Sequence, residues 1–351
     1  METVLVTGGG GFVAGQLIAQ LLDDGVSVHT TVRDSGDPAK VSALTDLADA
    51  YPGQLSIFAA DLLREGSFDD AAAGVDTVFH VASPFYMAEQ ITDPQTELIE
   101  PALAGTRNVL HTVDRTPSVR RVVLTSTIGA IFGDYSDVLA MKDQTVAEEY
   151  FNSTSSPDHS PYHYSKVVAE KQAWQINAGQ DRWDLVVINP GLVLGPALNP
   201  SSQSGSLFLL DELMGGKLWF GVPDISFAPV DVRDVARAHI AAGARPEASG
   251  RYIVSHPQMI SFIDMAHAIR RVHRKPSIVA RNTIPVPMLR AVGPAFGLDR
   301  EFIANHVGIR FRLDNSRSIA ELGISYRPVT ETLADHYHSW QQARDRASSR
   351  H

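Results

Sequence analysis

Short apolar runs alternate with helical patterns through the first half of the chain. Residues 4–7 have the continuous apolar character of a buried strand, and residues 12–22 place apolar side chains at helical spacing. Gly25 is predicted to end this helix, because glycine readily takes the left-handed conformation that closes helices. Further strand-like runs lie at 26–32, 55–59, 76–81, 121–125 and 185–189. Strands separated by helix-length segments predict a parallel sheet covered on both faces, the doubly wound (Rossmann) α/β fold.

The strand–helix rhythm weakens after Pro190. Residues 198–206 are rich in Pro, Asn, Ser and Gly, which is typical of a loop, and the rhythm returns at 230–242 and 251–254. We expect the remainder to form a smaller C-terminal domain over the carboxyl ends of the strands, where such sheets bind ligands. The predicted division is a nucleotide-binding domain of residues 1–190 plus 228–255 and a substrate-binding domain of residues 191–227 plus 256–351.

A glycine-rich turn joins the first predicted strand to the first helix. Its spacing is Gly-x-x-Gly-x-x-Ala, with Gly8, Gly11 and Ala14 in the three positions. Glycine lets the backbone approach a phosphate closely, and a helix N-terminus offers unpaired N–H groups and partial positive charge. The alternative is a merely flexible turn. Its place directly after the first strand of an α/β pattern favours a dinucleotide site.

The end of the second predicted strand bears on which nicotinamide cofactor binds. An acidic residue there binds the 2′-hydroxyl of NAD, whereas an arginine accommodates the 2′-phosphate of NADP. The strand ends in Arg33, and Lys40 follows in the next segment. These two residues favour NADP, although the neighbouring Asp34 leaves NAD open.

A Tyr-x-x-x-Lys pair stands near the start of a predicted helix. Ser160 is the expected N-cap and Pro161 the first helical residue. Tyr162 and Lys166 are four residues apart and share one helical face. A phenol with a pKa near 10 is a poor acid–base catalyst at neutral pH. A neighbouring ammonium and the positive charge of an oxidised nicotinamide are both expected to lower that pKa. The pair alone is a common surface pattern; its place after the fifth strand favours proton transfer by Tyr162.

Three hydroxyl side chains follow the fifth predicted strand. Thr125 and Thr127 are expected on one side of the strand and Ser126 on the other. A hydroxyl at the carboxyl end of a strand faces the ligand crevice and can polarise a substrate carbonyl. The alternative is that all three satisfy local backbone groups, as Ser and Thr often do at strand ends.

Composition and charge exclude several classes of ligand. The 351 residues carry a formal net charge of −10, which argues against nucleic acid because non-specific binding needs a basic surface. The chain has no cysteine. His159 and His163 lie four residues apart, but Pro161 interrupts them and no carboxylate follows at ligand spacing, so no metal is predicted. Apolar runs stay below the roughly 18 residues of a membrane span, and a signal-peptide pattern is missing. A cytoplasmic protein without a membrane partner is expected, and a homodimer is one open expectation.

These features together resemble the extended short-chain dehydrogenase/reductases. Within that family the chain looks most like dihydroflavonol reductases, cinnamoyl-CoA reductases and fungal or bacterial ketone and aldehyde reductases. The resemblance covers about residues 3–255. Its specific segments are 6–14, 31–34, 60–62, 80–84, 124–129, 162–166, 189–191 and 229–236.

The resemblance implies an NADP(H) site and roles for individual residues. The implied catalytic residues are Thr127, Tyr162 and Lys166. The expected cofactor-binding residues are Gly8, Gly10, Gly11, Phe12, Val13, Arg33, Lys40, Asp61, Leu62, Val81, Ala82, Ser83, Thr125, Tyr162, Lys166, Pro190, Gly191 and Val193. The expected substrate-binding residues are Ser83, Phe85, Phe132 and Leu192.

Several positions depart from the family pattern. The family's catalytic hydroxyl is usually a serine, and its position here is Thr127, with Ser126 as the alternative if the register shifts by one. Ala104 replaces a helix asparagine often seen in the family. Residues 161–166 differ from the cinnamoyl-CoA reductase signature, which argues against a CoA thioester. Phe132 stands where dihydroflavonol reductases place a polar residue, which favours a simpler apolar or aromatic ketone or aldehyde over a flavonoid.

The resulting hypothesis is NADPH-dependent carbonyl reduction, with Tyr162 as the general acid. One alternative is an NAD-dependent epimerase or dehydratase acting on a nucleotide sugar, or a hydroxysteroid dehydrogenase. A third possibility is a non-catalytic NADP-binding redox sensor, against which the intact Tyr162–Lys166 pair argues.

Overall fold

The strands form one large parallel sheet and three small two-stranded sheets in the computed structural model, which describes residues 1–83, 92–199, 201–202 and 204–349. The strands are β1 (Thr3–Val6), β2 (Ser27–Val32), β3 (Leu55–Ala59), β4 (Thr77–His80), β5 (Arg121–Thr125), β6 (Thr145–Val146), β7 (Asp184–Pro190), β8 (Leu192–Leu194), β9 (Ser226–Phe227), β10 (Pro229–Asp231), β11 (Gly250–Val254), β12 (Ile260–Ser261) and β13 (Arg312–Leu313). All seven strands of the large sheet lie where the sequence predicts them. The doubly wound α/β fold is confirmed.

Helices connect these strands and cover the sheet. They are α1 (Phe12–Asp23), α2 (Pro38–Ala50), α3 (Asp69–Ala72), α4 (Glu100–Arg115), α5 (Tyr135–Val138), α6 (Pro161–Ala178), α7 (Gly205–Met214), α8 (Val232–Ala244), α9 (Phe262–Val272), α10 (Val286–Val292), α11 (Arg300–His306), α12 (Ser316–Ala320) and α13 (Val329–Ser348). Gly25, just beyond α1, has a φ of +78°, which fits its predicted role in ending that helix. None of the described helices combines the length and apolar character needed to cross a bilayer.

The strand order of the large sheet determines where a ligand crevice opens. The order is β11-β7-β5-β4-β1-β2-β3, so the chain runs outward from β1 in both directions. β1 pairs in parallel with β2 on one side and with β4 on the other. Connections leaving neighbouring strands in opposite directions leave a crevice at the carboxyl ends, beside β1. The glycine-rich turn begins there.

Separate apolar cores hold the layers together. On one face of the sheet α1 and α8 pack against strands, with Leu17, Ile18 and Leu21 fully buried. On the other face α4 and α6 pack around Trp183 and their neighbouring strands. A third core joins α7, α9 and α13 through residues that include Leu210. This third core lies within the predicted C-terminal domain, and the division into two domains itself stays a prediction.

Candidate active site

A cleft of about 1050 Å³ opens at the carboxyl ends of the central strands. Its wall is built by the glycine-rich turn, the segments following β2, β4, β5 and β7, and the first turns of α6 and α7. The predicted site residues found in this wall are Gly8, Gly11, Phe12, Val13, Arg33, Leu62, Val81, Ala82, Ser83, Thr125, Thr127, Phe132, Tyr162, Lys166, Pro190, Gly191, Leu192 and Val193. The fold therefore gathers residues from seven separate segments of sequence into one cavity.

The glycine-rich turn has the geometry that a pyrophosphate site requires. Gly8 has a φ of +74°, and a Cβ added there would lie 3.0 Å from the Cα of Ala82. Gly11 is the N-cap of α1, and within this fully described helix no side chain caps the N-terminus. The first turn also holds no acidic residue, so its N–H groups are available to an anion. Together with Arg33 in the cleft wall, these groups fit NADP.

Three predicted cofactor residues lie outside the described wall of the cleft. The carbonyl oxygen of Gly10 points away and accepts hydrogen bonds from Asn199 Nδ2 and Ser202 Oγ, each at 3.0 Å. Lys40 is exposed and its Nζ lies 3.6 Å from Asp37 Oδ2. Asp61 uses its Oδ1 to accept the N–H of Leu63. Their contacts with a cofactor stay predictions, and Phe85 lies outside the described residues.

The Tyr–Lys pair lies at the start of α6, with both side chains in the cleft wall. Lys166 Nζ is 5.5 Å from the centre of the Tyr162 ring and donates a hydrogen bond to Ser83 Oγ. Ser160 takes the N-cap position, but it has a φ of 53°, and its side chain accepts no capping bond from the described helix. The predicted N-cap position is confirmed, and the side chain of Ser160 forms no capping hydrogen bond there. The left-handed residue turns the chain abruptly into the helix.

The protein environment shifts the pKa values of both Tyr162 and Lys166. Desolvation raises the pKa of the Tyr162 phenol, although 38% of this residue is exposed toward the cleft. Desolvation also lowers the pKa of Lys166 to about 8. The prediction that the ammonium lowers the phenol pKa is wrong for the unliganded protein. Removing water disfavours the charged form of each group, which raises the pKa of the phenol and lowers that of the ammonium.

The three hydroxyl residues after β5 have different partners. Thr125 Oγ1 lies 2.7 Å from His239 Nε2, and His239 Nδ1 lies 2.8 Å from the Val235 carbonyl. The carbonyl requires the proton on Nδ1, so Thr125 donates to Nε2. Ser126 Oγ donates to Glu170 Oε2 at 2.5 Å. Thr127 Oγ1 accepts the Gly129 N–H at 3.2 Å, which leaves its own proton available.

A buried ionic cluster between α6 and the large sheet is missed by the sequence analysis. Glu170 lies on α6 one turn after Lys166 and is almost fully buried. Its carboxylate accepts from Ser126 on the β5 side and from Asn189 Nδ2 of β7 at 3.1 Å. Arg251 Nε of β11 lies 2.7 Å from Glu170 Oε1. The cluster fixes α6 to three strands of the sheet, and so holds the Tyr–Lys face against the cleft.

Comparisons with known proteins show what this chain is similar to. The NAD dependent epimerase/dehydratase family matches residues 4–255. Cinnamoyl-CoA reductase CAD2 of Medicago truncatula is 42% identical over 253 residues, which cover 72% of this chain and 75% of the relative. An anthocyanidin reductase of Vitis vinifera is 38% identical over 75% of this chain and 80% of its own. Yeast methylglyoxal/isovaleraldehyde reductase Gre2, solved with NADPH, superposes with a TM-score of 0.78 at 26% identity, covering 98% and 99% of the two chains.

Proposed function

Because the chain belongs to the NAD dependent epimerase/dehydratase family, in its extended short-chain dehydrogenase/reductase branch, we propose that it reduces a small aldehyde or ketone with NADPH. Its curated relatives are reductases, and the chain is an NADP-dependent oxidoreductase. One observation carries the finer proposal. The uncommitted hydroxyl of Thr127, the Tyr162 phenol and Lys166 all line the same cleft as the glycine-rich turn.

The proposed cofactor site uses residues from both sides of the cleft. Gly8, Gly11 and the first turn of α1 would hold the pyrophosphate, and Arg33 would bind the 2′-phosphate. Residues 81–83 would line the ribose, and residues 190–193 would lie along the nicotinamide. When bound, NADPH supplies the hydride for the carbonyl carbon.

The catalytic residues divide the remaining work. Thr127 donates a hydrogen bond that polarises the carbonyl oxygen, and Tyr162 transfers its phenol proton to that oxygen as charge develops there. The ammonium of Lys166 stabilises the phenolate that Tyr162 leaves behind. Desolvation raises the phenol pKa, so Tyr162 holds its proton throughout the neutral range in the unliganded cleft, and the Lys166 ammonium favours release of that proton as charge develops on the carbonyl oxygen.

The substrate end of the cleft is proposed to take an apolar or aromatic carbonyl compound. Phe132 and Leu192, both predicted from the sequence, line it together with Phe208 and Phe227. Apolar walls with a few polar groups are typical of small-molecule sites. Phe132 also packs edge-on against Phe311, with ring centres 5.1 Å apart, which fixes the wall.

The test is NADPH oxidation against a panel of aryl ketones, aldehydes and keto esters, followed by analysis of the product. With NADPH deuterated at C4, we expect deuterium on the carbinol carbon of the alcohol. Retention of tightly bound NAD and no net oxidation would support an epimerase or dehydratase instead. Absence of turnover across the panel would support a sensor.

Replacing Arg33 with alanine is expected to reduce the preference for NADPH. Losing a charge-assisted contact to the 2′-phosphate raises KM for NADPH by about tenfold or more, while KM for NADH stays close to wild type. The measurement is steady-state kinetics with each cofactor. Arg64→Ala, at an exposed arginine outside the described cleft wall, is the matched control. Equal effects of Arg33→Ala on both cofactors would refute the assignment.

The pH dependence of kcat/KM is expected to show the ionisation of Lys166. Its pKa of about 8 means that the ammonium is present below that pH and is lost as pH rises through it. We therefore expect kcat/KM for NADPH in the reduction direction, which reflects the unliganded enzyme, to fall above about pH 8. Lys166→Arg should remove this limb, because guanidinium keeps its charge. A wild-type profile that is flat to about pH 10 would contradict this role, since unshifted lysine titrates only there.

A further inference from the structure

The strongest unassigned feature is a tyrosine in the substrate wall. Tyr135 is the first residue of α5, and its ring lines the cleft beside Phe132. Within the described residues the Tyr135 hydroxyl makes no hydrogen bond to protein, and solvent can reach its oxygen. A phenol oxygen that solvent can reach, on a residue that lines the cleft, is available to a ligand when the described residues give it no partner.

Aromatic packing fixes the direction of this ring. The centres of the Phe132 and Phe311 rings lie 6.1 and 5.1 Å from that of Tyr135, both edge-to-face. His306 of α11 covers a further side at 4.8 Å. These contacts hold the apolar part of the ring on several sides. Ligand binding therefore costs little side-chain entropy at this position.

Hydrogen bonds fix the backbone that carries Tyr135. Asp137 Oδ2 accepts the N–H groups of Gly133 and Asp134 at 3.1 and 2.9 Å. Asp134 Oδ2 in turn accepts from Asn305 Nδ2 at 2.8 Å and lies 2.9 Å from His159 Nε2. The start of α5 is thus tied to α11 and to the segment before α6.

The same segment lies against the catalytic helix. A Cβ added at Gly129 would lie 2.5 Å from His163 Cδ2, so the chain after Thr127 packs closely on α6. The rings of His163 and Tyr162 have centres 5.8 Å apart. Tyr135 follows Gly129 by six residues, in the segment that packs on α6.

We propose that Tyr135 is a specificity-determining residue whose hydroxyl binds a polar substituent of an aromatic carbonyl substrate, away from the reacting carbonyl. This inference rests on the proposed function. Burial raises the pKa of the Tyr135 phenol, so at neutral pH it is a neutral group that both donates and accepts. Ring hydroxyls and ethers fit this chemistry. Phe132 supplies the apolar surface for the ring itself.

The test compares acetophenone, its three ring-hydroxy isomers and the three matching methyl isomers as substrates. Hydroxyl and methyl groups are similar in size, so their ratio of kcat/KM isolates the polar contact. In Tyr135→Phe we expect that ratio to fall about fivefold for at least one ring position, the effect of one neutral hydrogen bond. Because the same ratio is compared between wild type and Tyr135→Phe, the intrinsic reactivity of each ketone cancels.

Tyr326→Phe is the control, because the Tyr326 hydroxyl bonds Ser318 Oγ at 2.7 Å and Tyr326 lies outside the described cleft wall. It should leave every hydroxy-to-methyl ratio unchanged. An unchanged ratio at all three ring positions in Tyr135→Phe, or an equal loss for every ketone, overturns the inference while the proposed function stands. If the wild-type enzyme reduces none of the seven ketones and no member of the panel of aryl ketones, aldehydes and keto esters, both the proposed function and the inference on Tyr135 are overturned.

Discussion

Replacing Tyr162 with phenylalanine is expected to lower kcat/KM for carbonyl reduction by about 10²- to 10⁴-fold, the contribution of a positioned general acid. The ring and its contact with Lys166 are retained, so the loss reflects the missing proton. Binding of NADPH, measured by fluorescence titration, should stay close to wild type. Purely structural damage would weaken cofactor binding as well.

Tyr164→Phe is the matched control for this loss. Tyr164 lies on the same helix but outside the described cleft wall, and Val168 rather than a lysine follows it by four residues. The control should keep most of the activity. If Tyr162→Phe also retained most of the reductase activity, the assigned role would be refuted.

Replacing Glu170 with glutamine is expected to cost about 3–5 kcal/mol of the free energy of unfolding. The substitution keeps the size of the side chain but removes the negative charge beside buried Arg251. The Arg251 guanidinium keeps its hydrogen bonds to the carbonyl oxygens of Glu148 and Tyr150. Its charge would nevertheless stay buried without the carboxylate of Glu170, whose side chain is 1% exposed.

The measurement is chemical denaturation at equilibrium. Glu331→Gln, at an exposed position of α13, makes the same chemical change and should cost less than about 0.5 kcal/mol. A loss below about 1 kcal/mol for Glu170→Gln would show that the ion pair contributes little. Activity per folded molecule should also fall in Glu170→Gln, because α6 carries Tyr162 and Lys166.

Local patterns in the sequence were sufficient to predict the fold. Each strand of the large sheet is a short apolar run between helix-length segments, and that alternation admits few arrangements other than a parallel sheet. The glycine-rich turn was also predictable. Gly8 has a positive φ and lies close to Ala82. Both features favour glycine at this position, and a glycine is visible in the sequence.

Contacts between distant segments were harder to predict. Glu170 had a usable signal, since it shares a helical face with Lys166, but its partners Ser126, Asn189 and Arg251 are 44, 19 and 81 residues away. Without the fold, a charged residue on a helix is expected to face solvent. Tyr135 had a similar signal, three residues after Phe132. Whether a described residue bonds its hydroxyl, however, depends on which groups the fold brings around it.

Proton affinities were the least predictable property. The sequence shows that a lysine lies one turn from Tyr162, and that alone predicts a lowered phenol pKa. The shift in the structure has the opposite direction because the cleft removes water from both groups. Desolvation depends on residues from many segments. The direction of the pKa shifts therefore follows from the assembled cleft and not from the Tyr162–Lys166 pair alone.

The most direct test is a crystal structure of the ternary complex with NADP and the alcohol product. The account predicts the Tyr162 hydroxyl within about 3.2 Å of the alcohol oxygen, with Thr127 Oγ1 on the same oxygen and the carbinol carbon facing nicotinamide C4. A complex in which Tyr162 turns away from the alcohol, with another group donating to its oxygen, would contradict the proposed mechanism.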